Sequence, residues 1–125
     1  MPRYLMIAIG GALGSMLRYF IGALAAERFG MSFPVGTLCI NISACFMIGF
    51  SVELLNSHVG LSPAWRFLIP VGFIGGFSTF STFEWEMWVD IRNGLFWIAF
   101  LYLVVSLAGG MIAVALGATF ARSVS

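Results

Sequence analysis

Apolar residues fall along this chain in four long runs, about Tyr4–Ala26, Val35–Leu54, Trp65–Val89 and Leu95–Phe120. Short stretches holding Gly, Pro, Asn and Ser, with Glu27, Arg28, Asp90 and Arg92, separate them. Each run is long enough to cross the roughly 30 Å hydrocarbon layer as a helix. The pattern predicts an all-α membrane protein forming one four-span domain over residues 1–125. The third run departs from a plain span, because GFIGGFSTFSTF (Gly72–Phe83) stands in its middle. Gly72, Gly75 and Gly76 remove side chains where the backbone approaches a neighbour or leaves helical geometry, and Ser78, Thr79, Ser81 and Thr82 can satisfy carbonyls locally. The expectation is a broken third helix: a first half to Ile74 with Pro70 as a kink point, a break, and a second half from about Thr79 to Val89. In hydrocarbon such a break persists only where protein or an aqueous cavity covers the freed polar groups, so the segment marks a site rather than a lipid-facing wall.

Composition agrees with this pattern. The chain is 61% hydrophobic and 9% charged, with mean hydropathy +1.03, against about 45–50% apolar and 25% charged residues in soluble domains. All basic residues are arginine and the formal net charge is +1, so no basic patch is offered to nucleic acid. Cys39 and Cys45 both fall within the second apolar run and read as small inert hydrophobes. His58 stands alone in a connecting loop. The first run has no cleavage-like end and is expected to be a retained span.

Several polar residues lie where lipid would penalise them. In the first run Gly10, Gly14 and Arg18 are spaced by four, which places them on one helix face and permits close approach of another helix. An arginine inside a span costs about 2.5–3.5 kcal/mol on insertion scales. Two accounts fit Arg18: snorkelling to the headgroups, or lining a vestibule that attracts anions. Asn41 shares a face with Thr37 and Cys45 and serves either as interhelical glue or as a path-lining donor. Phe80 and Phe83 are adjacent on one face beside Thr79 and Thr82, a spacing that ordinary membrane core explains as well. Tyr102 and Ser106 form a polar patch on the fourth helix, continued by Gly109 and Gly110. Trp65, Trp85 and Trp88 suit the interfaces, and Glu84, Glu86 and Asp90 mark the approach to water.

Four crossings place Arg3, Arg66 and Arg122 on one side and Arg28 and Arg92 on the other. So small an arginine difference leaves orientation almost unspecified. Four helices also struggle to enclose a polar path and their own core together. An antiparallel, dual-topology homodimer satisfies both observations, with two broken segments meeting near the midplane. Carbonyls near Gly75 and Gly76 would lack helical donors at the break, and two subunits could point four such oxygens at one cation.

The chain resembles the small bacterial fluoride channels called Fluc or CrcB. The match runs through GGALGSMLRY (Gly10–Tyr19), GTLCINISACFMIG (Gly36–Gly49) and GFIGGFSTFSTF. Where members of that family commonly have two threonines ahead of the final FSTF, this chain has Ser78-Thr79, which keeps a hydroxyl. The resemblance implies a passive, noncatalytic fluoride channel that exports the ion across the bacterial inner membrane and confers fluoride resistance. It implies an antiparallel homodimer with two pores and a structural sodium at its centre, on the carbonyls of Gly75 and Gly76. Asn41 would be a pore donor, Phe80 and Phe83 a pair contributed one from each subunit, and Thr79, Ser81 and Thr82 a hydroxyl track approached by Tyr102 and Ser106. Two rival functions start from the same spans. A small cation exporter would need a carboxylate deep in a span, and an assembly subunit would use its glycines only for packing.

Overall fold

The computed structural model describes residues 2–30 and 32–125; Met1 and Met31, the latter within the loop expected at Glu27–Pro34, lie outside the described residues. The helices are α1 (Pro2–Phe29), α2 (Val35–Ser57), α3 (Ala64–Arg66), a π-helical run (Phe67–Ile74), α4 (Gly75–Phe77), α5 (Phe80–Arg92) and α6 (Phe96–Val124). Among the described residues, four stretches are long and apolar enough to cross a membrane: Pro2–Phe29, Val35–Ser57, Ala64–Arg92 and Phe96–Val124. The protein is therefore a multi-pass membrane protein of four apolar helices, the third of them bent.

Local sequence sets the helix ends. Gly30 takes φ +75° and its amide bonds the Ala26 carbonyl at 3.0 Å, a left-handed glycine cap for α1. At the end of α5, Gly94 has φ +78°. Its amide bonds Ile91 at 3.0 Å, while Leu95 reaches back to Asp90 at 2.8 Å, the paired bonds of a Schellman motif. The Asn93-Gly94 turn after α5 thus has a specific backbone reason.

The spans associate in two pairs, α1 against the third span and α2 against α6. Glycines make both contacts intimate. A Cβ on Gly10 would strike the Leu68 carbonyl and one on Gly14 the Phe73 carbonyl, while Gly49 and Gly117 meet the Val114 and Phe46 carbonyls in the same way. Ile40, Ala44, Ile74 and Phe77 form the core between the pairs, joined by Ile21, Met47, Ile48, Ile69 and Phe73. Large apolar side chains such as Leu5, Leu13 and Phe20 on α1 and Trp97, Phe100 and Met111 on α6 are exposed. That outer surface suits lipid tails or another membrane-embedded chain.

Candidate functional site: the break in the third span

The break lies later than the glycines suggest. Gly75 is helical (φ −60°, ψ −38°), and the chain leaves the helix only at Ser78 (φ −75°, ψ 157°) and Thr79 (φ −150°, ψ 110°). This corrects the expectation of a break beginning after Ile74. The glycines serve proximity instead: a Cβ on Gly76 would stand 2.6 Å from the Gly11 carbonyl oxygen, and one on Gly72 would stand 3.0 Å from that of Ile7. Pro70 does not produce a simple kink. It sits in the π-helical run, and the Gly75 amide at the end of that run donates to both the Gly72 and Pro70 carbonyls. The wider π turn tolerates the proline's missing N–H.

Side chains then take over the backbone at the break. Ser78 donates both its amide (2.9 Å) and its hydroxyl (3.0 Å) to the Ile74 carbonyl, closing the first half. Thr79 opens the second half as N-cap, its Oγ1 accepting the Thr82 amide at 3.2 Å and donating to the Thr82 hydroxyl at 3.0 Å. Asn41, from α2, grips Thr79 from the side: its Nδ2 donates to the Thr79 carbonyl at 2.9 Å and its Oδ1 accepts the Thr79 amide at 2.8 Å. Asn41 is thus interhelical glue at the break, and its second Nδ2 hydrogen is left for another acceptor. With the Thr79 amide turned to Asn41, the Gly75 carbonyl loses its i+4 donor. The Gly76 carbonyl is served differently, accepting Arg18 Nε–H at 3.1 Å and Ser15 Oγ–H at 3.5 Å from α1. Arg18 therefore points to the break, not to the headgroups.

A groove of about 350 Å³ runs beside the break, lined by Asn41, Cys45, Ser78, Thr79, Phe80, Phe83 and Ser106. The two phenylalanines differ sharply. Phe80 is 70% exposed and Phe83 only 3%, with ring centroids 5.9 Å apart. Phe83 is fixed by the Tyr102 ring, 4.8 Å away at 80°. The Ser106 hydroxyl is buried with no hydrogen-bond partner among the described residues, an unmet donor inside the groove.

The remaining candidates do not form one hydroxyl track. Ser81 is exposed on α5. Thr82 lines a second cavity of about 430 Å³, together with Thr37, Glu86 and Asp90. Tyr102 is fully buried and donates to Glu86 Oε1 at 2.9 Å; Thr37 Oγ1 donates to Glu86 Oε2 at 3.1 Å. Glu86, expected to approach water with Glu84 and Asp90, is half-buried and turned into the protein, whereas Glu84 is exposed. Its spacing from Phe83 and Asp90, three and four residues, is the helical-face signal that could have found it. Cys39 and Cys45 are free. No cluster of three His, Cys, Asp or Glu side chains suited to a metal occurs among the described residues, which leaves the backbone carbonyls untouched as ligands.

With this geometry in hand, similarity to known proteins becomes specific. Residues 5–118 match the family described as CrcB-like protein, Camphor Resistance (CrcB). A protein of Acidobacterium capsulatum described as fluoride-specific ion channel FluC is 50% identical over 115 residues, 92% of each chain. Proteins of the same description from Solibacter usitatus and Chloroflexus aurantiacus are 44% and 42% identical, covering 96% and 98% of this chain and 98% and 97% of their own. Such identity along nearly the full length includes all four spans and both sides of the break, and on that ground the chain belongs to the CrcB-like family.

Proposed function

We propose that this chain is a passive, fluoride-selective channel of the bacterial inner membrane, and that the ion moves along the groove at Asn41, Thr79, Phe80, Phe83 and Ser106. The observation that carries this reading is the break itself: a helix opened in mid-membrane, clamped by Asn41, beside a groove that holds an unmet Ser106 hydroxyl. Fluoride is small and strongly hydrated, so a path must replace its water with donors at close range. Asn41 and Ser106 supply N–H and O–H groups. The phenylalanine ring edges add the positive part of the quadrupole without a fixed charge that would trap the ion. Tyr102 contributes by fixing Phe83 and Thr82 by bonding Thr79 at the break, while Ser81 is exposed away from the groove. Arg18 places a cation beside the break, on the Gly76 carbonyl.

The functional unit in this reading is an antiparallel homodimer. Balanced arginines allow insertion both ways round, and the exposed Phe80 is available to a partner while Phe83 serves its own groove. A sodium ion at the dimer centre would use the Gly75 carbonyl, which lacks its helical donor. Gly76, the other expected ligand, is the poorer fit because its carbonyl already accepts two hydrogen bonds. Hard oxygens suit such a cation, whose charge would offset part of the cost of holding anions in hydrocarbon.

A passive pore suffices for export. Fluoride crosses membranes as the neutral acid, dissociates in the near-neutral cytoplasm and is driven out by a negative-inside potential worth about 2.3 kcal/mol per 100 mV. Purified protein in liposomes is expected to release fluoride rapidly to an electrode and chloride hardly at all, with no energy source added. Equal slow leaks of both ions would remove the channel reading. Single cysteines placed at His58 and at Asn93, in a chain lacking Cys39 and Cys45, should each label from both faces of the membrane. One-sided labelling would remove the antiparallel arrangement.

A further inference from the structure

We propose that Arg18 is a positioning residue for the break, acting through its Nε–H on the Gly76 carbonyl, and that this donor rather than the positive charge alone is what the site requires. Arg18 lies about 16 Å from the Phe29 end of α1 at 1.5 Å per residue, inside the first apolar run. Among the described residues it has no carboxylate within ion-pair distance; the ion pair present joins Arg122 and Glu53. What it faces is a backbone carbonyl one residue before the end of α4.

That carbonyl needs a partner. The extended pair Ser78 and Thr79 ends the helical ladder, so the last carbonyls of the first half lose their usual donors and carry the partial negative charge of a helix C-terminus. Along α1, Gly11, Gly14, Ser15 and Arg18 recur at helical spacing on one face. Gly76 backs onto Gly11, where a Cβ on Gly76 would stand 2.6 Å from the Gly11 carbonyl oxygen. Ser15 lies at the limit of hydrogen-bond distance. Arg18 makes the 3.1 Å bond that closes the seam. Asn41 holds the next part of the break from α2, three residues further on. The break is thereby gripped from two helices, and its direction is set before any ion arrives. The two terminal guanidinium nitrogens hold no partner among the described residues, so an electrostatic role for the charge is compatible with the bond through Nε.

The two roles make different demands on the side chain. Glutamine carries its Nε2 donor the same number of bonds from Cα as arginine carries Nε, but has no charge. Lysine keeps the charge and puts a methylene at that place. Positioning through Nε therefore predicts that R18Q holds the break better than R18K. In the full-length chain reconstituted in lipid, backbone amide exchange across Phe77–Phe80 should run about tenfold faster in R18K than in R18Q, the size of one hydrogen bond in local opening. Fluoride efflux should rank the same way; that part alone rests on the channel reading, and a parent chain that passes no fluoride would sink the reading while leaving the exchange result intact. Exchange in R18Q as fast as in R18K would overturn the proposal. A measurement on the parent chain keeps it testable should a variant fail to fold. Solid-state NMR recoupling between Arg18 ¹⁵Nε and Gly76 ¹³C′ in bilayers is expected, and its absence would overturn the proposal as well.

Discussion

Two glycine seams hold this protein together, and only one of them leads to chemistry. Between α2 and α6, Gly49 and Gly117 bring backbones into contact, with a Cβ on Gly117 destined for the Phe46 carbonyl and 2.9 Å from the Phe50 amide. Between α1 and the third span, a Cβ on Gly14 would meet the Phe73 carbonyl and stand 2.9 Å from the Phe77 amide. The local contacts are nearly the same. Their surroundings are not. The first seam is flanked by the stacked rings of Phe46 and Phe50, with Phe120 tilted against them, and joins two unbroken helices. The second carries a π-helical run and a break, with Ser15, Arg18 and Asn41 turned onto the backbone polar groups. Close packing by glycine supplies proximity, and polar side chains arriving at an interrupted helix bond the backbone groups that the interruption frees.

The glycines themselves give the largest effects. Gly14→Ala and Gly117→Ala should each destabilise the protein by about 1–3 kcal/mol, since each seam must open to admit a methyl group; thermal unfolding in detergent measures this. Only Gly14→Ala should also accelerate amide exchange at Ser78 and Thr79. An equal acceleration by Gly117→Ala would mean that the seams are not functionally distinct. A smaller effect sharpens the contrast within one span. Gly75→Ala should change stability by no more than about 1 kcal/mol, because its Cβ meets the Pro70 carbonyl at an ordinary 3.8 Å and alanine favours the helix. Gly76→Ala should cost more, against a Gly11 oxygen 2.6 Å away. Equal melting temperatures for the two variants would contradict the packing role assigned to Gly76.

The four spans were legible because lipid demands long apolar runs and internally bonded helices, and this chain has little else. The break was legible in kind but displaced in position. Glycine adopts helical dihedrals freely, so Gly72 and Gly76 signalled an approach of α1 that the sequence could not distinguish from unwinding. The residues that do leave the helix, Ser78 and Thr79, are those whose hydroxyls bond Ile74 and cap α5. Asn41 was found because an amide in hydrocarbon demands partners. Its actual partner, Thr79, is 38 residues away. The Arg18 bond joins residues 58 apart and leaves no local trace. Glu86 was obscured by its neighbours: grouped with Glu84 and Asp90 it reads as an approach to water, and only the helical face it shares with Phe83 sends it inward to Thr37 and Tyr102.

In the proposed channel the ion passes on the Asn41 side of α2, beside the break, and nowhere else on that helix. Ser43 provides the control, since it lies on another face, bonded to Ile40 at 3.0 Å and lining an apolar groove with Cys39 and Ile42. The deciding measurement is fluoride efflux from liposomes carrying Asn41→Ala or Ser43→Ala, each checked for folded protein. Loss of both bonds to Thr79 should slow efflux about a hundredfold in Asn41→Ala, with Ser43→Ala running at the parent rate. Undiminished fluoride efflux through Asn41→Ala would contradict the account.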